Sequence, residues 1–208
     1  MTATTSIKKV GGLAVIFSLA CHLGVGLALG MEAPTVFVKH MVDEVIGLVT
    51  DEKLKVPDQE SHRRQLLEET IGTLFDFEEM AKRSLAAKWK SRGEADHHEF
   101  VNLFRTLLSN TYAGKIENYS GETVDYLKER LKDGYAEVQT KIVSAQTEIS
   151  LDYRLILKDG TWRVYDVVVY GVSLVKNYRS QFARIIHRSS YEDLVIALRE
   201  KSSEITAP

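Results

Sequence analysis

The chain has one cysteine, Cys21, and it falls in an apolar N-terminal stretch. The body that follows therefore has no disulfide, no thiol nucleophile and no thiolate metal ligand. A basic excess is lacking too. Two of the 27 lysines and arginines, Lys8 and Lys9, precede the first acid, Glu32, which leaves 25 bases against 29 acids, or −4, for the rest. That argues against nucleic acid, which needs a basic face to displace counterions. Metal-binding patterns are missing. His97 and His98 are adjacent and diverge by about 100° on a helix. His40, His62 and His187 lie on separate segments without HxxxH or HExxH spacing. Ser173 in Gly171-Val172-Ser173-Leu174 has no second glycine of a nucleophile elbow. Asp76, Glu78 and Glu79 open a helix, where capping and the dipole account for acids. No catalytic residue, metal ligand or cofactor is assigned, and the chain reads as a non-enzyme.

What is present begins with residues 1–30, where Lys8 and Lys9 precede an uncharged apolar run from Val10 to Leu29. This is the pattern of a secretory leader, or of an uncleaved N-terminal inner-membrane anchor. Cleavage after Gly30 or Ala33 is the expectation. A lipoprotein site at Cys21 fails, because Leu19 stands one position too late. Either reading exports the body, residues 31–208, which has the length and composition of a single globular domain.

Helical spacing predicts a helix over Pro34–Thr50, a mostly polar one over Gln59–Thr73 capped by Asp58, and a third from Phe75 to Trp89 capped by Asp76. The longest runs from Glu94 to Tyr119. Beyond Gly121 the period becomes that of strands. Asp133-Gly134 and Asp159-Gly160 are two-residue hairpin turns joining residues 122–131 to 135–144 and 148–158 to 161–170. The first hairpin sets Arg130 opposite Glu137. The second sets Leu157 opposite Trp162, Leu155 opposite Val164, Tyr153 opposite Asp166, and Leu151 opposite Val168. Asp166 then sits on an apolar face, an expense unless it is hydrogen-bonded by the Tyr153 hydroxyl or by backbone N–H groups near Ser173. Ser173 caps a helix with Leu174, Tyr178 and Phe182 on one side and Lys176, Arg179 and Arg184 on the other. A last helix covers Tyr191–Lys201. The fold class is α+β, a four-stranded antiparallel meander with helices on its apolar face: four N-terminal helices and two C-terminal ones.

The stretch WRVYDVVVYGVSLVKNYRSQFARII, Trp162 to Ile186, resembles the signature region of the MlaC / toluene-tolerance family, and FDFEEMAKRSLAAKW, Phe75 to Trp89, is a second matching segment. The likeness runs from about Pro34 to Lys201. Trp162, Tyr165, Asp166, Gly171, Ser173, Asn177, Tyr178 and Arg179 carry it. Tyr170 departs from it, standing where many relatives have an acid. The resemblance implies a periplasmic phospholipid-binding protein of the lipid-asymmetry transport system. Its partners would be an inner-membrane ABC transporter complex with a substrate-binding subunit and an outer-membrane lipoprotein complex, with bound phospholipid as cargo.

By pattern alone, Phe104, Leu108 and Tyr112 of the long helix close over Tyr153, Leu155, Val164 and Val168, either as solid core or as walls of a channel. The resemblance implies the channel, and extends the lipid-binding set to Leu85, Trp89, Leu174, Tyr178 and Phe182. Lys176, Arg179 and Arg184 are the expected headgroup or partner contacts. Two alternatives stand beside this: a carrier of another lipid such as a hopanoid, and an exported assembly or anchoring module with a filled core.

Overall fold

The computed structural model describes residue 1 and residues 32–203; the readings for the leader and for Cys21 lie outside the described residues. Helix α1, Pro34–Thr50, has proline in its first turn and buries Phe37, Val38 and Met41. Its N-cap, Ala33, makes no side-chain bond. The exposed carboxylate of Glu129, on a strand, does that work instead, accepting from Thr35 N at 2.8 Å and Thr35 Oγ1 at 2.6 Å. Helix α2, Glu60–Leu74, buries only Leu67. Asp58, the expected cap, falls inside a 3₁₀ turn, Pro57–Gln59, and Gln59 takes the N-cap position without a side-chain bond.

Helix α3, Phe77–Leu85, is capped as expected, with Asp76 accepting from Glu79 N at 2.9 Å. It stops short of Trp89 because Ala86 enters the left-handed region at φ 51°, and a 3₁₀ turn, Ala86–Ser91, carries the tryptophan. Helix α4 spans Glu94–Glu117.

Five strands form one antiparallel meander in the order β1-β2-β3-β4-β5: Thr123–Lys132, Tyr135–Val143, Glu148–Lys158, Thr161–Val169 and Val172–Ser173. The expected count was four. The fifth is only two residues long, too short for a periodic signal. It forms because Tyr170 and Gly171, at φ 48° and 78°, repeat the geometry of the Asp133-Gly134 and Asp159-Gly160 turns. Tyrosine is an unusual left-handed residue. Here its N–H donates to Ser150 O at 3.0 Å and its hydroxyl to Glu148 O at 2.9 Å, tying the turn to β3.

Leu157 faces Trp162 and Leu155 faces Val164, as expected, but Tyr165 is then an extra residue on β4. Beyond this bulge Arg154 faces Asp166, Tyr153 faces Val167 and Leu151 faces Val169. The expected pairings of Tyr153 with Asp166 and of Leu151 with Val168 are therefore displaced by one residue. A one-residue shift moves a side chain to the other face. Asp166 thereby leaves the apolar face. The chain closes with α5, Leu174–Arg188, capped by Ser173 Oγ accepting from Lys176 N at 3.0 Å, and with α6, Tyr191–Ser203.

Candidate functional site

The expected lipid-binding residues fall into two separate clusters. Leu85, Trp89, Phe104, Leu108, Tyr178 and Phe182 are buried together among α3, α4, α5 and α6, with Tyr112 and Leu174 packed on the edge. Leu155 and Val164 are buried instead against α1, with Tyr153 partly buried beside them. Val168 is buried on β4 outside both. The long helix α4 packs chiefly on α6 and α3, so Phe104 and Leu108 do not close over the sheet. That correction has a physical cause. The apolar face of α4 matches equally apolar faces on α5 and α6, and periodicity says which side is buried but not against what.

The helical cluster is aromatic and interlocked. Phe104 meets Tyr178 at 5.3 Å and Phe182 at 5.6 Å edge-on, and Phe100 meets Phe182 at 5.6 Å in the same way. Trp89 is stacked by His97 at 3.8 Å, and the His97 ring bonds the Trp89 carbonyl at 2.8 Å.

The sheet cluster is mostly aliphatic, with Phe37 and Trp162 as its buried rings. Phe37, Val38 and Met41 of α1 lie on Ala136, Val138, Leu155, Trp162 and Val164. Among the described residues, α1 is tied there by the Thr35–Glu129 bonds and by one from Trp162 Nε1 to Glu32 O at 2.9 Å. Tyr126 and Tyr153 lie at this contact. Burial and the neighbouring Asp43 push the Tyr126 hydroxyl up to about 12, and burial raises that of Tyr153 further.

Asp166 is the hinge between the regions. Its carboxylate accepts from Ser173 Oγ at 2.6 Å, from Val175 N at 3.0 Å and from Arg154 Nη1 at 3.0 Å. The bond from the backbone near Ser173 is the expected one. The Tyr153 hydroxyl is not among its partners, because the bulge turns the two residues apart. Arg154 also donates to Glu137 at 3.3 Å, completing a line of charges across the polar face.

Of the expected contact cations, Lys176 and Arg184 are exposed. Arg179 is engaged: its Nε donates to Arg83 O at 2.7 Å, satisfying a carbonyl at the end of α3. Two open clefts hold charged residues that sequence reasoning did not single out as site residues. One, about 440 Å³, is lined by Phe75, Asp76 and Phe77 with Arg105, Lys158 and Arg163. The other, about 200 Å³, includes Arg130, Lys132, Tyr135 and Arg154. Arg105 and Arg163 stand on α4 and β4, and no spacing rule links them.

Comparison with known proteins agrees with this architecture. The chain is 20% identical over 194 residues to the intermembrane phospholipid transport system binding protein MlaC of Haemophilus influenzae, covering 90% of this chain and 91% of that one. It is 21% identical over 166 residues to the toluene tolerance protein ttg2D of Pseudomonas putida, covering 78% and 77%. A solved phospholipid-binding protein from Ralstonia solanacearum, in complex with a phospholipid, superposes with a TM-score of 0.72 at 25% identity, covering 82% of this chain and 97% of that one. Residues 39–200, from within α1 to α6, match the family described as MlaC protein, and the chain belongs to that family.

Proposed function

We propose that the chain is an exported phospholipid carrier of the periplasm. In this reading it moves lipid between an outer-membrane lipoprotein complex and an inner-membrane ABC transporter with a substrate-binding subunit. The observation that carries the reading is the apolar sheet face covered by α1, in a fold shared with a relative that was solved with phospholipid. Acyl chains would replace α1 against Tyr153, Leu155 and Val164, while the interlocked helical cluster stays packed as the fixed body. Two acyl chains carry on the order of 30 methylene groups at about 0.8 kcal/mol each, so burying them strongly favours the loaded state. Release then needs a partner that reopens the contact, and Lys176 and Arg184 are exposed cations on α5 for it to hold. Charge reversal at both that leaves lipid loading and transporter binding unchanged overturns that docking assignment.

Native mass spectrometry of the protein purified without detergent tests the function itself. Peaks displaced by the mass of a phospholipid are expected. A displaced mass that extracts as a polycyclic lipid favours the hopanoid alternative. A clean mass that stays clean after incubation with liposomes overturns the carrier reading and favours an assembly module with a filled core.

A further inference from the structure

The larger cleft joins cations to an apolar floor. Arg105 lies flat against α2 at Gly72, where an added Cβ would come within 2.6 Å of its Nη2. That nitrogen donates to Glu68 O at 2.8 Å, and the guanidinium stands 5.6 Å from the Phe77 ring centre. The group is thus held in place with one donor committed and others left over. Among the described residues no carboxylate pairs with Arg105 or with half-buried Arg163. Lys158 is paired with Asp76, and Asp159 occupies the hairpin turn. Three cations, Arg105, Lys158 and Arg163, therefore face two acids, Asp76 and Asp159, an excess of one positive charge. Outside the lining, Glu78 and Glu79 also act on Lys158. Asn102 and Thr161 add neutral hydrogen-bonding groups. Phe75 and Phe77, their rings 5.9 Å apart, lead inward, and Phe75 packs against both apolar clusters.

Half-buried guanidinium groups without a carboxylate partner, beside an apolar wall, suit a phosphate ester whose other end is apolar. We propose that this cleft binds a phosphate ester through Arg105 and Arg163, and that the ester is the headgroup phosphodiester of the cargo. The identity of the cargo rests on the carrier reading; the phosphate chemistry of the cleft does not. Counting the lining alone, one negative charge balances the cleft, and its volume lies within the usual range for small ligands, about 300–1,000 Å³.

The test offers the protein vesicles containing equal phosphatidylglycerol and diacylglycerol, which differ in the phosphate-bearing headgroup, and reads the loaded lipid by native mass spectrometry. In parallel, inorganic phosphate is titrated while amide shifts around the cleft are followed. Wild type should prefer the phospholipid by about tenfold or more, the worth of a charge-assisted hydrogen bond. Arg163→Gln, at a residue with no ion pair to lose, should remove most of that preference. Arg105→Gln/Arg163→Gln should remove the rest while still loading diacylglycerol, and should abolish the phosphate-induced shifts. If phosphate saturates the cleft and Arg163→Gln abolishes this, but no lipid of either kind loads, the cleft reads a soluble phosphate ester and the carrier reading is what fails. Unchanged lipid preference in Arg163→Gln together with no saturable shifts in wild type overturns the proposal.

Discussion

The cluster among α3–α6 and the contact between α1 and the sheet both bury apolar side chains, but in different ways. The first shares its rings among α4, α5 and α6, with α3 packed on them through Met80 and Leu85, so removing α4, α5 or α6 strips aromatic partners from the others. The second is a smooth, mostly aliphatic face with a single helix laid on it, tied at one end by Glu129 and Trp162. Interlocked packing makes a permanent body, whereas a helix held by one face and few polar bonds can open on its own. A carrier needs both: something that does not move, and something that does.

The comparison breaks most severely at Phe104, fully buried at the centre of the rings. Phe104→Ala should lower stability by about 4 kcal/mol, read as a fall in the global denaturation midpoint with both regions unfolding together. Asp166→Ala should cost about 3 kcal/mol, because Arg154, Ser173 and the start of α5 lose a buried acceptor at once. Near-ultraviolet circular dichroism during denaturation would then show the helical body and the sheet separating. A third substitution sharpens the contrast instead. Glu129→Ala removes the borrowed cap of α1 and should cost about 1 kcal/mol; hydrogen exchange should accelerate in α1 and stay unchanged in α4, and lipid uptake should quicken.

The last effect is nil at neutral pH and is confined to alkaline solution. Tyr126 titrates near 12 in the fold against about 10 when unfolded. The folded state therefore holds the proton more tightly. Its contribution is complete below pH ~10 and is lost as pH rises toward 12. Fluorescence of Trp162, in a Trp89→Phe background, should report α1 leaving the sheet in that window, and Tyr126→Phe should move the transition upward.

Much of this was legible beforehand, for local reasons. The two Asp-Gly turns, the capping by Asp76 and Ser173, and the helix and strand periods all act within a few residues. The bulge at Tyr165 was not legible. No glycine or proline marks it, and only the demands of Asp166 and α5 on the far side reveal why β4 takes an extra residue. That single insertion turned a carboxylate from an apolar face to a charged one. Nor could periodicity say that α4 pairs with helices while α1 takes the sheet, since each shows only one apolar side. The Arg105–Arg163 cleft is the same kind of case: 58 positions apart, the two residues meet through the arrangement of α2, α4 and the second hairpin.

Strand β1 is one edge of the sheet, a row of backbone groups of the kind a second copy can extend. Leu127 interrupts it as an extra residue between Tyr126 and Lys128, and Lys128, Arg130 and Lys132 follow at alternate positions. An incoming strand would lose register at the bulge and meet a line of like charge beyond it. On the proposed reading the protein parts its own apolar face to load lipid, which carries an obvious aggregation hazard. Here the edge most able to seed a fibre is already spoiled for that purpose.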